Sequence, residues 1–123
     1  HYKLELEAIK VDFIAVSEHK FHGPKGVGFA CIRKNSGLHP MIFGGEQERG
    51  QRAGTESIHN IAGLETAFKI AYQNLENDKE HITNLKVYCL EQLKSVIPSI
   101  LFNGQCDDLE KSTYTIINFR HKN

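Results

Sequence analysis

An α/β fold is predicted for this chain by three observations. Two apolar runs rich in β-branched and aromatic residues, Val11–Val16 and Val27–Ile32, flank a turn built on glycine and proline. Two longer stretches, about Glu56–Leu75 and Asn77–Val96, instead repeat apolar residues at three- and four-residue steps, the period of a helix with one buried stripe. The tail returns to strand-like composition at Ile100–Asn103 and Tyr114–Phe119.

Taken in order, Tyr2–Leu6 alternates and reads as a short strand or an extended connection, and Glu7–Lys10 as a helical turn leading into the strand at Val11. So abrupt a start reads as a cut. Between the first two strands, Pro24 presets φ for a turn and the glycines around it permit backbone conformations that a branched residue resists. Lys34-Asn35-Ser36-Gly37 signals a second turn, followed by the apolar Leu38–Phe43 interrupted by Pro40, and then a glycine loop from Gly44 to Thr55. Thr55, Glu56 and Ser57 are placed to cap or charge the first turn of the helix beyond.

Ile58, Ile61, Ala62, Leu64, Ala67, Phe68, Ala71 and Leu75 form that helix's predicted stripe. Gly63 within it costs about 1 kcal/mol relative to alanine, so its presence predicts a close approach by a neighbour. Asn77-Asp78 is placed to cap a second helix with Ile82, Leu85, Cys89, Leu93 and Val96 inward, ended by Pro98. The tail strands are joined by a loop through Gly104 and Asp107-Asp108, and the change of pattern near residue 76 marks a domain boundary.

The 123 residues, 40% of them hydrophobic, suffice for one compact core. Fifteen basic and fifteen acidic side chains are scattered along the chain, which lacks the basic footprint of a nucleic-acid binder. No apolar run approaches the roughly 20 residues of a membrane span and no signal peptide opens the chain, so the cytoplasm is the expected compartment. Three unevenly spaced cysteines argue against a disulfide framework or a zinc knuckle. Cys31 and Cys89 read as packing residues; Cys106, in a loop beside Asp107 and Asp108, is not nominated as a nucleophile. His19 and His22 form a His-x-x-His pair that no carboxylate or cysteine completes, so no metal is expected. Gly-Pro-Lys-Gly lacks the Gly-Lys-Ser/Thr ending of a nucleotide phosphate loop.

Chemistry concentrates at residues 17–28, Ser-Glu-His-Lys-Phe-His-Gly-Pro-Lys-Gly-Val-Gly. They set Lys20 beside small polar groups at the end of an apolar strand. A desolvated amine favours its neutral form, which attacks carbonyls to give a Schiff base, so Lys20 is expected to be held dry. Ser17 and His19, both able to donate to an anion, read as phosphate contacts. Lys25 follows proline in the tight turn and is expected to point to solvent. Thr55, before a helix, either caps that helix or offers a hydroxyl to a phosphate.

Ser-x-His-Lys-x-x-Gly-Pro-Lys-Gly-x-Gly resembles the lysine motif of the cysteine desulfurases of the class-V aminotransferase family. Residues 44–55, Gly-Gly-Glu-Gln-Glu-Arg-Gly-Gln-Arg-Ala-Gly-Thr, are similar to that family's Gly-Gly-Gly-x-Glu-x-Gly-x-Arg-x-Gly-Thr run, with Glu46 in place of the third glycine. The resemblance implies an internal fragment of a pyridoxal-phosphate fold type I enzyme. Residues 1–75 then end the large cofactor-binding domain and residues 76–123 begin the small C-terminal domain. It further implies that Lys20 binds pyridoxal 5'-phosphate and moves protons, that Ser17 and His19 hold its phosphate, and that Thr55 reaches the cofactor phosphate of the partner in a homodimer. Arg49 and Arg52 are expected to pair with Glu48 and neighbouring loops or to line the substrate mouth.

The implied reaction of the parent takes sulfur from L-cysteine, leaving L-alanine and an enzyme persulfide that passes to a sulfur-acceptor protein for iron–sulfur cluster assembly or tRNA thiolation. In the family, the aspartate facing the pyridine nitrogen lies upstream of this stretch and the nucleophilic cysteine downstream, so the chain alone is expected to be inactive. Two other readings stand beside this one: another class-V enzyme, such as a selenocysteine lyase or a transaminase, and a non-catalytic interaction module using the second helix or exposed strand edges.

Overall fold

A computed structural model describes residues 2–121. Its elements run β1 (Phe13–Ser17), a 3-10 turn (Glu18–Phe21), β2 (Gly28–Ile32), a second 3-10 turn (Gln47–Gly50), α1 (Ile58–Gln73), α2 (Leu75–Val96), β3 (Ile100–Phe102) and β4 (Phe119–His121). They belong to two compact units that meet in sequence between Gln73 and Asn74.

In the first unit, β1 and β2 form an antiparallel ribbon in which Phe13 faces Ile32, Ala15 faces Ala30 and Ser17 faces Gly28. Opposed residues share a face, so the alternation puts Ile14, Val16, Phe29 and Cys31 on the half-buried side. The other side is open, with Phe13 63% exposed. A Cβ at Gly28 would collide with the Val16 carbonyl, which explains glycine at that register position. Both strands, apolar as they are, are therefore half-exposed.

Arg33, just past β2, ties the opening segment down. Its guanidinium donates to the Val11, Leu6 and Ile9 carbonyls at 3.1, 3.2 and 3.2 Å. Residues 2–5 form no strand, and a turn follows in which the Ala8 N–H donates to the Glu5 carbonyl at 3.0 Å.

α1 begins at Ile58, and the Ile61 N–H donates to the Ser57 carbonyl at 3.0 Å, which puts Ser57 at the cap position. None of its residues is fully buried: Leu64, Ala67 and Ala71 are half-covered, whereas Ile58 stands 78% exposed. Gly63 does meet the predicted close approach, since a Cβ there would lie 2.6 Å from Pro24 Cγ. Gly63→Ala is therefore expected to lower the melting temperature, by about 1–3 kcal/mol of overpacking against a helix-propensity gain of about 1 kcal/mol. A thermal melt showing stabilisation would mean that α1 does not seat on Pro24.

In the second unit, α2 runs from Leu75, with Asn74 at its cap, two to three residues before the predicted start. Leu75, Lys86 and Leu90 are buried, while Leu85 and Val96, predicted inward, are exposed. The inward line is instead Ile82, Lys86, Leu90, Leu93 and Ile97, and Lys86 belongs to it because its amine has partners. It donates to Ser112 Oγ and to the Thr113 carbonyl, both at 2.7 Å. β3 pairs with β4 as Ile100–His121 and Phe102–Phe119. Of the strand predicted at Tyr114–Phe119, only Phe119 is in β4: β3 is three residues long, so Thr115–Ile117 have no strand to pair with. Cys106 lies 5% exposed in the loop between them, its Sγ donating to the Asn118 carbonyl at 3.0 Å and accepting from the Asn118 N–H at 3.2 Å. This loop thiol fills a structural place.

Candidate functional site

β1 carries the chain to Ser17, and the Glu18 N–H extends the ladder by donating to the Val27 carbonyl at 3.4 Å. The backbone then tightens into the 3-10 turn Glu18–Phe21. It ends at His22 in the left-handed region (φ 70°), with the Gly23 N–H donating to the Glu18 carbonyl at 3.3 Å. At three residues per turn, side chains three apart eclipse each other, so Glu18 and Phe21 share the inner side. Both are buried. The Phe21 ring meets Phe68 of α1 edge-on, centroids 6.0 Å apart.

With the inner side taken by Glu18 and Phe21, His19 and Lys20 face outward, and both are exposed. This corrects the expectation that Lys20 is held dry: within this chain its amine stands in water. Among the described residues the lysine withdrawn from solvent is Lys86, 3% exposed and remote in sequence from the motif. Lys25 is exposed, as its place after proline predicts. Ser17 is exposed as well, so a hydroxyl, an imidazole and an amine lie along four consecutive exposed or turn positions, and among the described residues none of these three side chains has a hydrogen-bond partner.

The glycine loop folds back on itself. Ala53, buried, donates its N–H to the Ile42 carbonyl at 3.2 Å, and the Gly54 N–H donates to Gln47 Oε1 at 3.1 Å. Glu48 and Arg49 adopt left-handed backbone (φ 49° and 57°), which costs a non-glycine residue about 1–2 kcal/mol each. Among the described residues Arg49 and Arg52 form no ion pair, contrary to the pairing expected with Glu48.

Thr55 lies three residues before α1, outside the cap position that Ser57 holds, so its exposed hydroxyl is not spent on the helix. It lines an open basin with Arg52, Gly54, Ser57, Gly26 and Gly28. Ser17, His19 and Lys20 are not in that lining. The structure thus joins three of the four predicted site residues along one turn and sets the fourth in a separate basin.

Sequence reasoning missed Glu18. Its carboxyl is fully buried, neither oxygen has a hydrogen-bond partner, and burial raises it above the usual carboxylate range. The signal was available: in a 3-10 turn, an apolar residue at position 21 implies an inward residue at 18.

A strand, a lysine turn and a glycine loop leading into a helix place the chain in the α/β class, and the family comparison agrees. The chain belongs to the aminotransferase class-V family, whose model matches residues 1–123. It is 38% identical over 104 residues to the cysteine desulfurase IscS of Dictyoglomus turgidum, covering 85% of this chain and 26% of that protein. It is 34% identical over 119 residues to the cysteine desulfurase IscS of Clostridium botulinum strain Hall, covering 97% and 30%. Among solved structures, a NifS-like protein superposes with a TM-score of 0.83 at 36% identity, over 96% of this chain and 31% of that one. DndA from Streptomyces lividans superposes with a TM-score of 0.76 at 33% identity, over 89% and 31%. The chain therefore spans less than a third of the length of these relatives, and its mixed helices and strands are those of part of a fold type I enzyme.

Proposed function

We propose that this chain is the lysine-bearing part of a pyridoxal-phosphate-dependent cysteine desulfurase, a protein that takes sulfur from L-cysteine and leaves L-alanine. The observation that carries the reading is the unspent donor row Ser17, His19, Lys20, set on a turn that buried Glu18 and Phe21 hold from behind. The donors fit the cofactor: a hydroxyl and an imidazole suit its phosphate, and an amine that the rest of the enzyme withdraws from water suits its aldehyde. When bound, the cofactor supplies an electron sink for the amino acid's α-carbon. Lys20 attaches it and then takes and returns the proton; Ser17 and His19 orient it through the phosphate.

Lys20 stands exposed in a chain that covers under a third of its relatives' length, and the drying of the amine is assigned to the remainder of the enzyme. Thr55, with a free hydroxyl in a basin apart from Lys20, is assigned to the cofactor phosphate of a second subunit, which makes the enzyme a homodimer. Residues 1–75 are assigned to the large domain and 76–123 to the small one. The sulfur passes to an acceptor protein, for iron–sulfur cluster assembly or tRNA thiolation, in the cytoplasm.

The test is a map of where the cofactor attaches. After incubation of the whole enzyme with pyridoxal phosphate and borohydride reduction, peptide mass spectrometry is expected to find the pyridoxyl group on Lys20. An adduct spread over Lys25, Lys34 and Lys69 in proportion to their exposure would reduce Lys20 to a surface lysine and end the proposal.

A further inference from the structure

We propose that Glu18 is a positioning residue: its uncharged carboxyl, packed onto Gly23, sets the turn that presents His19 and Lys20, and its ionisation releases that turn. This rests on the reading of Lys20 as the cofactor amine for its consequence, though not for its geometry.

The geometry is specific. Glu18 is the residue through which the turn is closed at both ends, its N–H on the Val27 carbonyl and its carbonyl receiving the Gly23 N–H. Its side chain is fully enclosed, and a Cβ added at Gly23 would fall on the Glu18 side chain, so only glycine leaves room for it. Its oxygens accept no hydrogen bond from any described residue. A carboxylate in that state is costly, whereas the neutral acid is tolerated.

The other titratable groups do not offset this. His19, Lys20, His22 and Lys25 of the turn and its loop are exposed, as are His59, Glu65, Lys69 and Tyr72 of α1, the helix packed against the turn. Glu65 and Lys69 are paired with each other at 2.7 Å. Burial raises the Glu18 carboxyl, so the folded turn binds its proton more tightly than the opened turn does. The stability it contributes is complete below the ordinary carboxylate range and is lost as pH rises from that range through the raised value. Rising pH therefore loosens Lys20's support, opposite to the effect of an ion-paired glutamate.

The experiment measures amide hydrogen exchange at Glu18 and Gly23 against pH, corrected for intrinsic exchange, in the wild-type protein and in Glu18→Gln. In the wild type, protection is expected to fall by up to about tenfold per pH unit across the carboxyl's titration. In Glu18→Gln, isosteric and without charge, protection is expected to stay level. Parallel profiles in the two proteins, or a level wild-type profile, overturn the proposal. If Glu18→Gln does not fold, the carboxyl carbon resonance of wild-type Glu18 followed by NMR decides: titration above the ordinary range supports the proposal and titration within it overturns it. Attachment of pyridoxal phosphate at Lys20, read in parallel, separates the two ideas. A pH-dependent turn without attachment preserves the positioning of the turn and removes only the enzymatic reading.

Discussion

In the whole enzyme of which this chain is proposed to be a part, Lys20→Ala is expected to abolish the borohydride-fixed pyridoxyl adduct and to lower alanine formation from L-cysteine by at least about 10²–10⁴-fold, the contribution of a positioned acid–base group. The expectation follows from the division of the 3-10 turn. Phe21 and Glu18 hold it from within, and Lys20 is exposed and makes no hydrogen bond or ion pair with a described residue, so shortening it removes an amine without opening a cavity. The Lys20→Ala protein should therefore melt within about 0.5 kcal/mol of wild type, as surface substitutions do. Lys20→Arg makes the comparison sharper, because guanidinium keeps the charge but does not condense with an aldehyde. If Lys20→Arg retains adduct and activity, the positive charge alone is at work and covalent attachment is elsewhere. If both variants lose activity together with stability, the turn is a folding element and the chemistry has been misplaced.

How far the site was legible follows from which residues obey a simple period. The two ribbon strands and both helices announce themselves through repeats of two and of three to four, and the packing of Gly63 on Pro24 was legible because a mid-helix glycine is otherwise unfavourable. Ser17, His19, Lys20 and Thr55 were legible as residue types in two motifs; their placement was not. A strand–lysine–strand pattern says that the amine is at the ribbon's end, but whether it faces inward depends on how tightly the turn winds. At three residues per turn, Glu18 goes in and Lys20 goes out. The tail was read less well because β-branched residues at Thr115–Ile117 mark a strand only where a partner exists, and β3 ends at Phe102. α2 misled the reading by about one helical position: Leu85 looks inward by composition, yet Lys86 holds the buried place because the 106–114 loop brings acceptors to it.

That buried lysine yields the second large expected effect. Lys86→Ala should destabilise the protein by about 3–5 kcal/mol, combining a cavity where the aliphatic stem lay with loss of two short hydrogen bonds. Ser112 Oγ also lies 2.6 Å from the Asp108 carbonyl, to which it donates, so its lone pairs are what the Lys86 amine uses. The Thr113 carbonyl takes the second proton, and the arrangement, beside the Lys94–Asp107 ion pair at 3.3 Å, draws the loop between β3 and β4 onto α2. Lys86→Met separates the two contributions. It refills the stem's volume and leaves the acceptors unmet, so about 1–3 kcal/mol of the loss should remain. Urea unfolding followed by circular dichroism measures both variants. Full recovery in Lys86→Met would show that the methylenes alone hold the loop. A Lys86→Met as unstable as Lys86→Ala would show that the amine's hydrogen bonds dominate, and the Cys106 thiol, seated in that loop, would then become reactive toward thiol reagents.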